Sequence, residues 1–189
     1  MIGCINEIGE RQKADNVSGL LGEKGFREYM DQQDTPLEKG YLLRIGIDHF
    51  KEINDNFGQE YGDFVLRKTA DCISGCLSEG QKVYKLVADE FLILDASSDE
   101  TKDADKLYDK VREAIDRFIE TNEFKVMYTV SGGIVPFAAL KGNQYAEALK
   151  LTDFALNEAK KLGRNRCYIF NGETYRKFLR KREITQELR

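Results

Sequence analysis

The sequence predicts an α/β sandwich: a mixed, five-stranded sheet flanked by helices. Three observations predict it. Residues 41–48 carry apolar side chains on both faces, as a strand in the middle of a sheet does. Two apolar runs, 81–86 and 92–94, are separated by a short turn and so pair as a hairpin. Between the other strands, apolar residues recur every three or four positions, so helices connect the strands and cover the sheet.

In chain order, residues 23–32 read as a helix with Phe26 and Met30 on one face. The central strand 41–48 follows, and Asp48 is placed to cap the helix that starts at His49. Gly58 breaks that helix, and a longer one runs over 59–77. The hairpin arms are 83–86 and 91–94. The next helix is the clearest in the chain, because Ala104, Leu107, Val111, Ile115 and Phe118 form one stripe. Residues 124–137 read as a strand with Gly132-Gly133 as a bulge. A helix over 146–162 stops at Gly163, and 167–170 is a last short strand. The tail is helical and basic, with Arg176, Lys177, Arg180, Lys181, Arg182 and Arg189 on what reads as a solvated face.

The chain of 189 residues is long enough for one domain with a real core, and 41% hydrophobic with 33% charged residues is ordinary for a soluble globular protein. A net charge of −4 gives no basic footprint for nucleic acid. No apolar run reaches membrane-spanning length, and Glu7, Glu10 and Arg11 interrupt any signal-peptide pattern. Four cysteines occur, at 4, 72, 76 and 167. Cys72 and Cys76 share a helix face, but His49 is the only histidine and no second pair completes a metal site. They read as small apolar core residues in a reducing cytoplasm.

Two segments stand out. Ile47-Asp48-His49-Phe50-Lys51-Glu52-Ile53-Asn54-Asp55-Asn56-Phe57-Gly58 precedes Val87-Ala88-Asp89-Glu90-Phe91, which sits at the hairpin tip. With Asp15-Asn16-Val17-Ser18-Gly19-Leu20 upstream and Ala159-Lys160-Lys161-Leu162-Gly163-Arg164-Asn165 downstream, these resemble the GGDEF family, whose active members are diguanylate cyclases. The resemblance covers about 15–170. It implies a single GGDEF domain over 15–172, similar to nucleotide-cyclase catalytic domains and polymerase palms. Residues 1–14 are then a connector similar to the exit of a PAS sensor domain, and 173–189 a helix similar to the link to an EAL phosphodiesterase domain.

A diguanylate cyclase joins two GTP molecules held by two copies of the domain, and such transfer depends on positioning and on neutralising phosphate charge with metal. The resemblance assigns the roles residue by residue. Asp89 matches a magnesium-binding carboxylate, and the main-chain carbonyl of Ile47 a second ligand. Glu90 matches the acid that stabilises or deprotonates the reacting hydroxyl. Asn54 and Asp63 match the guanine-reading pair, while Lys160 and Arg164 match the phosphate contacts, with Lys51 as an added cation. Two departures matter. Gly46 stands where the family carries its first metal-binding Asp, and Val87-Ala88 replace two turn glycines. Asp48 shares a face with position 46 but lies nearly two residue rises away, so it is not expected to substitute. Val87 and Ala88 are expected to reshape the turn and partly fill the nucleotide pocket. Residues 77–82 hold neither Arg nor Asp, so the family's R-x-x-D product-inhibition site is not expected.

The resemblance with these departures implies a regulatory GTP-binding or dimerisation module of cyclic-di-GMP signalling, with magnesium weakly held or not at all and little or no cyclase activity. The alternatives are an active diguanylate cyclase and a ligand-free spacer. Candidate partners are GTP, a second copy, an upstream sensor and a downstream EAL-like domain.

Overall fold

The computed structural model describes residues 14–98, 101–121, 126–142 and 144–187. The sensor-like connector up to residue 13, including Cys4, lies outside the described residues, as do 124 and 125 at the start of the expected fourth strand. The elements are β1 (Leu21–Gly22), α1 (Glu23–Asp31), β2 (Tyr41–Ile47), α2 (Phe50–Phe57), α3 (Gln59–Cys76), β3 (Lys82–Lys85) and β4 (Glu90–Asp95). Then come α4 (Thr101–Thr121), β5 (Val130–Pro136), a 3₁₀ turn (Phe137–Ala139), α5 (Tyr145–Lys161), β6 (Cys167–Ile169) and α6 (Gly172–Glu187).

The sheet is mixed, as expected, but has six strands in the order β1-β3-β4-β2-β5-β6 rather than five. The extra strand is β1, whose Leu21 and Gly22 pair in parallel with Tyr84 and Lys85. Two residues are too few to show the alternation that marks a strand. β2 is central and antiparallel to both β4 and β5. All seven of its residues are buried, because helices cover both faces.

Alternation along β2 divides the core. Tyr41, Leu43, Ile45 and Ile47 face a layer built from Val65, Ala70 and Ile73 of α3 and Leu107, Val111 and Ile115 of α4. In α4 the stripe closes on Ile119 rather than Phe118. Leu42 lies in the opposite layer with Phe26 and Met30 of α1 and Ala148 of α5. Arg44 and Gly46 share that second side of the strand. The Cys72 and Cys76 thiols lie 3.8 and 3.6 Å from the Ala114 and Lys110 carbonyls of α4, and burial pushes the Cys72 thiol up to about 11; both cysteines pack at the edge of the core, half-buried rather than enclosed in it.

Two local expectations are corrected. Gly132 and Gly133 form no bulge, since they pair in unbroken register with Ile45 and Arg44. A side chain at 133 would run into the α5 backbone at Ala155 and Leu156, so the glycine marks a close helix-on-strand approach. Asp48 does not cap α2, which starts after His49 with no side-chain cap. Its carboxylate accepts instead from Thr129 Oγ1 and Ser131 Oγ, both at 2.7 Å, and from the Asn165 amide at 3.1 Å. Three outside donors outcompete one local cap. α6 seats Tyr175 and Phe178 against Phe154 of α5, with ring centroids 4.9 and 5.1 Å away, while Arg180, Lys181 and Arg182 are solvated. Among the described residues, no helix is long and apolar enough to cross a membrane.

Candidate functional site

The β3–β4 turn is closed by the Leu86 amide donating to Glu90 O at 2.9 Å and the Glu90 amide donating to Val87 O at 3.2 Å. Ala88 takes φ 54°, the left-handed region that glycine occupies freely, so its side chain has not prevented a glycine-type turn. Val87 is 67% exposed, which places its bulk on the solvent side. Lys85, which sequence reasoning passed over, stitches the turn from beneath. Its buried ammonium donates to the carbonyls of Leu86 and Ala88, and burial pulls its pKa below the usual lysine range.

The register places Gly46 directly opposite Glu90. A Cβ built on Gly46 would lie 3.1 Å from Lys160 Nζ and 3.4 Å from its Cε. The lysine of α5 therefore lies over the position from which a carboxylate would project. Lys160 Nζ is also 3.9 Å from Glu90 Oε1. Burial pushes the Asp89 carboxyl above the usual range against the opposing pull of Lys160.

Glu90 is held from the other side by Arg44, a residue sequence reasoning did not single out. Arg44 Nε donates to Glu90 Oε2 at 2.7 Å, and a terminal guanidinium nitrogen pairs with the same oxygen. The guanidinium also donates to Leu149 O at 3.1 Å and lies 3.6 Å from Asp153 Oδ1, both on α5. The signal available in the sequence was a lone charge inside the run Leu42-Leu43-Arg44-Ile45, since a buried charge needs a partner.

Thus Gly46, Glu90 and Lys160 come together, and Asp89 and Ile47 adjoin them, with the Ile47 amide donating to Asp89 O at 3.3 Å. Around Gly46 these residues offer a divalent cation one carboxylate, Asp89, where the family pattern implies two. Among the described residues no group of three His, Cys, Asp or Glu side chains could hold a metal. The position of the missing carboxylate is bordered by an ammonium, and Glu90 is committed to a guanidinium.

The expected base-reading residues lie on α2 and α3. Asn54 Oδ1 is buried without a hydrogen-bond partner in the described structure. It presses on Gly62, where any Cβ would collide with it, and Asp63 is the next residue, partly buried. Arg164 is exposed in the loop after α5 and takes φ 61°. Its amide donates to Ala159 O at 3.2 Å, and the next residue is tied to Asp48. Lys51 is exposed on α2.

Residues 12–166 match the GGDEF family, described as the diguanylate cyclase, GGDEF domain. Over 162 residues the chain is 31% identical to the diguanylate cyclase DgcZ of Escherichia coli, covering 83% of this chain and 53% of that protein. Over 186 residues it is 27% identical to the cyclic di-GMP phosphodiesterase NbdA of Pseudomonas aeruginosa, covering 96% of this chain but 24% of that one. The chain thus spans about half or less of these curated relatives. Among solved structures, the isolated GGDEF domain of TpbB (YfiN) from Pseudomonas aeruginosa superimposes with a TM-score of 0.76 at 26% identity, covering 88% of this chain and 99% of that one.

Proposed function

Because the chain belongs to the GGDEF family, we propose that it is a GTP-binding regulatory domain of cyclic-di-GMP signalling with little or no cyclase activity of its own. The observation that carries this reading is the pairing of Gly46 with Lys160: where a metal-binding carboxylate is expected, the chain has no side chain, and a lysine ammonium lies alongside. The fixed Glu90 supports it too, since a carboxylate bound to Arg44 is a poor acceptor for a hydroxyl proton.

Nucleotide binding is supported by other residues. Asn54 offers a buried, unpaired acceptor beside Asp63, and the guanine edge carries adjacent donors that such a pair can accept. Lys160 and Arg164 supply cations for phosphate, with Lys51 in reserve. In this reading the domain acts by occupancy, and a second copy or a neighbouring EAL-like domain reads whether GTP is bound.

The test has two arms. Incubation with GTP and magnesium, followed by chromatography, is expected to yield no cyclic di-GMP; turnover on the order of one per second would establish an active cyclase instead. Calorimetric titration is expected to show GTP binding that ATP does not match, with Asp63→Ala removing the preference. Equal affinity for both nucleotides, or no binding at millimolar GTP, would leave a structural spacer.

A further inference from the structure

We propose that the Lys160 ammonium takes the place of the divalent cation in this site, so that the chain binds free guanosine triphosphate without metal. This rests on the nucleotide-binding reading above and goes further, by naming the ionic form of the ligand.

Three observations carry it. First, the space is available because residue 46 is glycine: a Cβ there would meet Lys160 Nζ at 3.1 Å and Leu156 Cδ2 at 3.2 Å, tighter than ordinary contact. The missing side chain and the lysine position are two sides of one arrangement. Second, the two acidic side chains of the turn already sit in a cationic setting. Glu90 accepts from Arg44 and lies 3.9 Å from Lys160, and Asp89 feels Lys160 and Lys85. A divalent ion entering here would meet the Lys160 ammonium and, with Glu90 tied to Arg44, would have Asp89 as its carboxylate ligand, so most of its oxygen donors would have to come from phosphate and water. Third, Lys160 is delivered by a rigid element. It lies in the last turn of α5, whose body is locked against β5 at Gly133 and against β2 through Arg44, Leu149 and Asp153. Its side chain is still 25% exposed, so the ammonium can reach an incoming phosphate.

The charge balance sets a sign. Magnesium bound to GTP cancels two of the charges that a lysine and an arginine would otherwise attract. Free GTP should therefore bind at least as tightly as its magnesium complex, the reverse of a site that uses metal as a bridge.

The experiment is calorimetric titration of the chain with GTP in EDTA and, separately, in excess magnesium. The expected result is binding in EDTA that magnesium leaves unchanged or weakens. Lys160→Met, which keeps the apolar stem, should lose about ten- to a hundredfold of the affinity in EDTA. Gly46→Asp should weaken binding in EDTA, because the new carboxylate pairs with Lys160, and should regain affinity when magnesium is added. Circular dichroism shows whether each variant is folded. Binding that appears only with magnesium, or Lys160→Met binding as well as the parent in EDTA, would overturn the metal-free site while leaving GTP recognition intact. No binding in either buffer would overturn both readings.

Discussion

The Arg44–Glu90 pair is the feature whose removal should be felt most. The two side chains are only 8% and 17% exposed, and Arg44 donates from two nitrogens to one Glu90 oxygen. Arg44→Met leaves the Glu90 carboxylate with Lys160 at 3.9 Å as its remaining partner and strips a donor from Leu149 O. Breaking a buried pair from one side costs about 3–5 kcal/mol. For a domain of this size that lowers the melting temperature by about 6–20 °C. Glu90→Gln should cost less, about 1.5–3 kcal/mol, because Arg44 keeps Leu149 O and has Asp153 3.6 Å away. The double variant has no buried charge left unpaired, so its loss should fall short of the sum of the singles by about 2 kcal/mol. Urea denaturation of the four proteins, followed by circular dichroism, measures the coupling. Losses that add to within about 0.5 kcal/mol would refute the pair as a structural unit.

Ala88 holds a left-handed backbone that costs a non-glycine residue about 1–2 kcal/mol, so Ala88→Gly should be neutral to mildly stabilising by urea denaturation even though glycine loosens the unfolded chain; a clear loss would refute strain at the turn. Burial raises the Asp95 pKa, but the hydrogen bonds from Gln81, Ser97 and Ser98 outweigh it and leave it below the ordinary value. Its stabilisation is present above the unfolded aspartate pKa and is lost as pH falls through the lower folded one. Asp95→Ala should therefore cost on the order of 2 kcal/mol at neutral pH, with the gap narrowing in strong acid; a pH-independent gap would contradict this. Gly133→Ala forces a methyl into the α5 backbone and should lower the melting temperature more than Gly75→Ala, whose Cβ meets nothing within 4 Å. Equal effects of the two would show that the helix can move away freely.

What the sequence showed plainly was whatever repeats. The α4 stripe, the doubly apolar β2 and the hairpin all came from periodicity, and the helix stop at Gly163 from residue type. What it hid depends on long-range placement. β1 has no period to read. The role of Asp48 was obscure because its donors at 129, 131 and 165 come from distant parts of the chain. In the site, the residues carried over by resemblance fell partly together, with Asp89, Glu90 and Lys160 around Gly46 and Asn54 beside Asp63. Arg44 and Lys85 were missed, because a cation earns meaning only from the carbonyls and carboxylates that folding brings to it. The glycine pair was misread as a bulge because proximity of α5 cannot be deduced from the strand alone.

The position of β2 also dictates when this domain can exist. β2 is the most buried strand, yet both its partners are made later: β4 after two helices, and β5 after a third. During synthesis β2 must wait with open, apolar edges until residue 136 has emerged, and non-local pairing of this kind is slow. Chains ending before β5 should stick to one another along that unpaired edge, whereas loss of the α6 helix leaves the β2–β5 register untouched. The exposure of that edge to other chains is therefore expected to end with the arrival of a single strand, β5.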